Sequence, residues 1–122
     1  MSETRQTMIG LTKISHGKLK TLKENGVFNE MADGYRTGIA LAIAMDMNPT
    51  PITENRVTIF SVATIDNKQE ISTIVKSLLG VSSESIYTII EQLAEIGIKK
   101  LYAEYEENGN IDFISMLKQL SV

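Results

Sequence analysis

The sequence predicts a compact, mainly α-helical single domain, with about five helices and one or two short β-strands. The chain has 122 residues, 43% hydrophobic and 22% charged, which is typical of one soluble domain with one core. Apolar residues recur at helical spacing over residues 29–47. By contrast, residues 56–65 are rich in β-branched side chains and nearly continuously apolar, as in a buried strand.

Residues 29–47 form the predicted central helix. Met31 and Tyr35 begin an apolar face that repeats every four residues, and from Gly38 onward the other faces are apolar too. A helix that is apolar on all sides must be covered by its own domain or by another chain. We therefore predict a homo-oligomer, either a dimer or a tetramer, with these residues in or next to the interface: Ile39, Ala40, Ile43 and Ala44.

The elements before the central helix are short. Residues 1–7 are polar and predicted to be disordered. Residues 8–14 are a strand candidate, and Ser15 is a suitable N-cap for a helix over residues 16–25 that ends at Asn25-Gly26. The order strand, helix, helix is that of a ribbon-helix-helix unit, in which two chains pair their strands and dock them in the DNA major groove.

The elements after residue 65 are predicted to be helices. Asp66 is expected to cap the first, which ends at Gly80, and Ser82 or Ser83 begins a second that ends at Gly97. A short helix is expected before Asn108-Gly109. The last helix is amphipathic and is marked by Phe113, Met116, Leu117 and Leu120.

The charge is uneven along the chain. The net charge is −3, yet residues 1–26 hold five basic and two acidic side chains, a balance of +3. A basic N-terminal end allows a local contact with nucleic acid. The lysines concerned are Lys13, Lys18, Lys20 and Lys23. They could instead solvate one helix face, or pair with the acidic segment 104–107.

No sequence pattern indicates an enzyme. Cysteine is absent and His16 is the only histidine, so a metal site or a histidine-based triad would need distant parts of the chain. No phosphate-binding loop, dinucleotide fingerprint, nucleophile elbow or zinc spacing is present. We expect no catalysis, no metal and no cofactor. The N-terminus has no signal-like apolar stretch and no segment is long enough to span a membrane, so a cytoplasmic location is expected.

Three stretches of the chain carry a family resemblance: LTKISHGKLKTLKENGV, RTGIALAIAM and RVTIFSVATID. They are similar to the leucine–lysine helix, Arg-led apolar helix and following strand of the DndE family, the small subunit associated with bacterial DNA phosphorothioation systems. The likeness covers residues 9–80; residues 81–122 resemble no known family. It implies a compact helical subunit that forms tetramers and touches the DNA backbone at Lys13, Lys18, Lys20 and Lys23.

The predicted function is therefore that of a non-enzymatic accessory subunit of a bacterial or phage multi-protein system that acts on DNA in modification or defence. It would be homo-oligomeric and part of a larger protein complex. The alternative is an adaptor or inhibitor module that binds a protein partner through its acidic body.

Overall fold

The computed structural model describes residues 7–82 and 85–118. Within them the chain forms a mainly helical domain with one small sheet, which confirms the predicted fold class. The elements are β1 Met8–Thr12, α1 Lys13–Glu24, α2 Met31–Ala44, β2 Arg56–Ser61, α3 Val62–Ile65, α4 Glu70–Leu79, α5 Ile86–Asn108 and α6 Phe113–Lys118. Three predicted features lie outside the described residues: the disorder of residues 1–6, the cap at Ser83, and the place of Leu120 in the last helix.

The two strands pair with each other in an antiparallel sheet. Met8 lies opposite Ser61 and Thr12 lies opposite Arg56, with an irregularity in register between Ile9 and Gly10. A Cβ added at Gly10 would lie 1.7 Å from the carbonyl oxygen of Val57, so only glycine fits where the two backbones come this close.

The strand ends and helix starts differ from those predicted by one to four residues. The strand predicted over residues 56–65 ends at Ser61, because the Ser61 side chain accepts a hydrogen bond from the amide of Thr64 and caps α3. Thr12, rather than Ser15, caps α1 by accepting from the amide of Ser15. The N-cap position of α4 is Gln69 and not Asp66, but the Asp66 carboxylate accepts hydrogen bonds from the first-turn amides of Ile71 and Ser72.

The longest helix, α5, runs without a break from Ile86 to Asn108. The prediction that Gly97 ends a helix, with a separate short helix after it, was wrong. Gly97 lies where α2 crosses α5, and a Cβ there would be 1.9 Å from the carbonyl oxygen of Gly38. The glycine permits a close helix–helix contact and does not terminate the helix.

The core is built around this crossing. Gly38 of α2 lets the two backbones come close, since a Cβ there would be 3.2 Å from the backbone nitrogen of Ile98 on α5. One apolar cluster joins β1, α2, α4 and the first half of α5. A second cluster holds Leu22, Leu41, Leu101 and Met116, which tie α1, α2, α5 and α6 together.

Candidate nucleic-acid interface

The four predicted DNA-binding lysines all lie on α1. Leu19 and Leu22 of this helix are fully buried, so they fix which side of α1 faces the core. Lys13, Lys20 and Lys23 are exposed. Lys13 and Lys20 are seven residues apart and therefore lie on the same side of the helix. Three of the four ammonium groups are thus available to an anion in solvent.

Lys18 has a different environment. It is half-buried, and its ammonium nitrogen lies 5.5 Å from the centre of the Tyr102 ring on α5. This is within the range of a cation–π contact. Lys18 therefore helps to hold α1 against α5 and lies apart from the other three lysines.

Within residues 7–82 and 85–118, no ion pair neutralises Lys13, Lys20 or Lys23 of α1. Among the described residues, no ion pair joins Lys13, Lys20 or Lys23 to the acidic segment 104–107. Partial burial and, to a lesser extent, the nearby charge of Lys20 lower the pKa of His16. The alternative in which the lysines pair with residues 104–107 of the same chain is therefore not seen here.

Strand β1 has both edges occupied. One edge pairs with β2. On the other, the amides of Gly10 and Thr12 donate to the carboxylates of Glu91 and Glu95, at 2.8 and 3.0 Å. The Tyr35 hydroxyl donates to the Gly10 carbonyl on this edge, at 2.9 Å. The strand–helix–helix order is present, but in this arrangement β1 cannot pair with the same strand of a second chain.

The side chains of β1 are also too buried to contact DNA bases. Of its five residues only Met8 is exposed, so the strand presents too few side chains to reach base edges in the major groove.

The two glutamates that cover β1 form a buried polar cluster that the sequence analysis missed. Glu91 and Glu95 are 5% and 4% exposed, and they lie four residues apart on one face of α5. Arg56 of β2 pairs with Glu91 at 2.6 Å, and Lys99 pairs with Glu95 at 3.3 Å. The Thr12 and Ser15 hydroxyls also donate to Glu95. The only signal in the sequence was two acids amid the apolar face of a helix.

The pKa values of the two carboxyl groups shift in opposite directions. Burial raises the pKa of Glu91 above its usual value, and the nearby Glu95 adds to this, although the Gly10 amide and Arg56 act in the other direction. Burial would also raise the pKa of Glu95, but hydrogen bonds from the Thr12 amide, Ser15, Thr12 and Lys99 outweigh it and lower the pKa. The cluster has a structural role, because its carboxylates accept hydrogen bonds from the amides on the outer edge of β1.

The predicted interface residues on α2 fall into two groups. Ile39 is 1% exposed in the core of its own chain, and Ile43 is half-buried. Ala40 and Ala44 are exposed and lie four residues apart, on the side of α2 that the domain leaves uncovered. The oligomer remains a prediction, and Ala40 and Ala44 are the residues on which it now depends.

Arg36, which opens the second stretch used for the family likeness, has an internal role. Its guanidinium donates to the backbone carbonyls of Thr64 and Ile65, at 2.6 and 3.0 Å, and pairs with Asp33. Arg36 therefore holds the end of α3 against α2.

In the part of the chain that the structure describes, no group of His, Cys, Asp and Glu side chains is placed to hold a metal ion. None of the described helices combines the length and apolar character needed to cross a bilayer. Comparisons of the chain with protein-family models, curated proteins and solved structures found no match.

Proposed function

We propose that the protein is a cytoplasmic, non-enzymatic accessory subunit of a bacterial or phage multi-protein system that acts on DNA. It would contact the DNA backbone through α1 and would work as a homo-oligomer in a larger complex. The observation that carries this proposal is the exposure of Lys13, Lys20 and Lys23 on one helix, with no intrachain acid paired to them among the described residues. The resemblance to the DndE family supports the same reading.

The charge of the chain limits how strong this contact can be. One domain offers three exposed α1 lysines on a molecule of net charge −3. Phosphate contacts gain their affinity from clustered cations and from counterion release. A symmetric oligomer would present several copies of these three lysines. We therefore expect the DNA contact to depend on assembly.

The test is a gel shift with duplex DNA over a salt series, comparing the wild type with the double variant Lys20→Glu, Lys23→Glu. We expect the wild type to shift DNA at low salt, and the shift to weaken steeply as salt rises. The double variant should give no shift and should melt at nearly the wild-type temperature, because exposed charges contribute little to folding.

A matched control separates the effect of the α1 lysines on DNA binding from the effect of total charge. The variant Lys68→Glu, Lys100→Glu changes the total charge equally at positions outside α1, and it should keep most of the shift. If the wild type gives no shift at low salt, or both double variants lose it equally, α1 is not a DNA interface.

The second candidate function is a protein-binding adaptor or inhibitor. It is favoured by the acidic end of α5, where Glu106 and Glu107 are exposed. This alternative gains support if the gel shift is absent and Glu106→Lys with Glu107→Lys abolishes capture of a basic partner subunit of the same system.

A further inference from the structure

An apolar groove lies between the end of α2, α4 and α5. It encloses a cavity of about 170 Å³. Two leucines of α4 that line it, Leu78 and Leu79, are 63% and 41% exposed, although large apolar side chains are normally withdrawn from water when they cluster. We call this the α2–α4 groove, lined mainly by Ile43, Asp46, Met47, Val75, Leu78 and Leu79.

The size of the α2–α4 groove favours a protein side chain over a metabolite. Pockets for small molecules typically measure roughly 300–1,000 Å³ and bury most of the ligand. A cavity of about 170 Å³ is below that range. It is suited to aliphatic side chains of a partner segment laid across α4, as in helix-in-groove recognition.

Asp46, at the rim of the groove, has an unusual backbone. Its φ is +52°, in the left-handed region that favours glycine. The amide of Asp46 donates to the carbonyl of Ile43, and that of Met47 to the carbonyl of Ala42. This is the Schellman ending of a helix, in which the left-handed residue is usually glycine.

The charge of Asp46 is also unfavourable where it lies. It directly follows the last residues of α2, whose free carbonyls give that helix end a partial negative charge, so an aspartate there is repelled. Among the described residues, none donates a hydrogen bond to the Asp46 carboxylate or forms an ion pair with it. Asp46 therefore combines two features that reduce stability, and such residues concentrate at functional positions.

We propose that the α2–α4 groove binds a short segment of a partner protein that carries two apolar side chains beside a lysine or arginine. The apolar side chains enter between Ile43, Leu78 and Leu79. The basic side chain pairs with Asp46 and with the carbonyl end of α2, where a cation is favoured. This identifies the kind of partner surface in the proposed larger complex; it rests on the proposed role as a subunit, but not on the DNA contact.

The test begins with a phage-displayed library of random twelve-residue peptides, selected on the wild type and counter-selected on Leu78→Lys. The enriched peptides should share two apolar residues and a lysine or arginine. Their affinity is then measured by fluorescence polarisation. We expect Leu78→Lys to weaken binding at least tenfold, and Asp46→Asn to weaken it several-fold and to reduce its salt dependence.

Two further variants separate binding from stability. Asp46→Gly should raise the melting temperature, since glycine suits the left-handed backbone. It should still lower the affinity for the peptide. Ile14→Lys, at an exposed apolar position on α1, should leave binding unchanged. Circular dichroism checks the fold, and Leu79→Gln replaces Leu78→Lys if that variant fails to fold.

The proposal is overturned if no peptide is enriched, if the enriched peptides are acidic, or if Leu78→Lys and Ile14→Lys bind equally well. It is also overturned if the wild type sediments as a dimer that Leu78→Lys dissociates, because a second copy of the chain would then occupy the groove. If peptides bind but the wild type gives no gel shift, only the DNA proposal is wrong. If the wild type shifts DNA but no peptide binds, only the groove proposal is wrong.

Discussion

At the scale of single residues, Glu91 and Glu95 determine how the small sheet ends. A two-stranded sheet leaves backbone amides unpaired along its outer edges, and buried amides need an acceptor. Here carboxylates of α5 accept from Gly10 and Thr12 in place of a third strand. Burying two acids side by side is unfavourable unless each is hydrogen-bonded, which explains why Arg56 and Lys99 lie beside them.

The two glutamates are predicted to respond differently to pH. Because the pKa of Glu95 is lowered on folding, its contribution to stability is present above the ordinary value of 4.5 and is lost as pH falls through the folded pKa. Because the pKa of Glu91 is raised, its contribution is present below that value and is lost as pH rises through the folded pKa.

Glu95→Gln should therefore lower the free energy of unfolding at neutral pH by about 1–3 kcal/mol, since the amide keeps only one acceptor oxygen for the buried donors of Thr12 and Ser15. It should also flatten the loss of stability in acid. Glu91→Gln, the matched control, should lower stability less at neutral pH. Urea unfolding at about pH 7 and about pH 3 measures the free energy of unfolding of both variants. Equal losses for the two variants at each pH would contradict this account.

At the scale of elements, the crossing of α2 and α5 holds the domain together. Gly38 and Gly97 let the two backbones touch, and Ala42 and Ala94 next to them are fully buried. Helices that meet through small residues come closer than those separated by leucine or isoleucine. The position of α5 then sets where Glu91, Glu95 and Tyr102 meet β1 and α1.

Gly97→Ala should disrupt this crossing, because the added Cβ would meet backbone, which cannot move aside as a side chain can. We expect a loss of about 1–3 kcal/mol in the free energy of unfolding, as for other overpacked cores. Gly17→Ala is the control. Gly17 lies within α1, and a Cβ there meets nothing within 4 Å, so the change should raise stability by up to about 1 kcal/mol.

Thermal unfolding followed by circular dichroism measures both glycine variants. A Gly97→Ala protein as stable as the wild type would mean that the helices do not cross at Gly38 and Gly97.

At the scale of the whole molecule, the open question is which surfaces another chain covers. The side of α2 at Ala40 and Ala44 is exposed, and the α2–α4 groove lies beside its C-terminal end. The lysine-bearing side of α1 is separate from both, since α1 packs on α2 and α5 through Leu19 and Leu22. Assembly and DNA contact can therefore be tested by separate variants.

The predicted oligomer is tested by Ala40→Glu combined with Ala44→Glu. Both positions are exposed, so the added carboxylates should leave the monomer folded and should break any interface formed there. Light scattering at micromolar concentration should give a dimer or tetramer for the wild type and a monomer for the variant. Ala103→Glu, at an exposed alanine of α5, should leave the assembly intact. A wild type that is monomeric would end this prediction.

Local sequence patterns were enough to predict the helical class, the short strands and some of the inward-facing residues. The spacing in α4 also predicts that Ile74 and Leu78 face inward, but their side chains are 49% and 63% exposed. Leu19 and Leu22 of α1 and Ile86, Ile90 and Leu93 of α5 are buried as their spacing indicates, because a helix has a fixed period that the sequence must match. The exposure of Lys20 and Lys23 follows from the same period. These features depend on neighbours within one or two turns.

What the sequence could not indicate depended on contacts between distant elements. Gly97 looks like a helix end, because a glycine there has the same local preferences whether it terminates a helix or permits a crossing. Likewise, Glu91 and Glu95 look like solvated charges until β1, more than eighty residues earlier, brings its amides against them. Ile39 was predicted to lie in or next to an interface with another chain, because periodicity shows only that a face is covered. The packing of α5 on α2 buries Ile39 within its own chain.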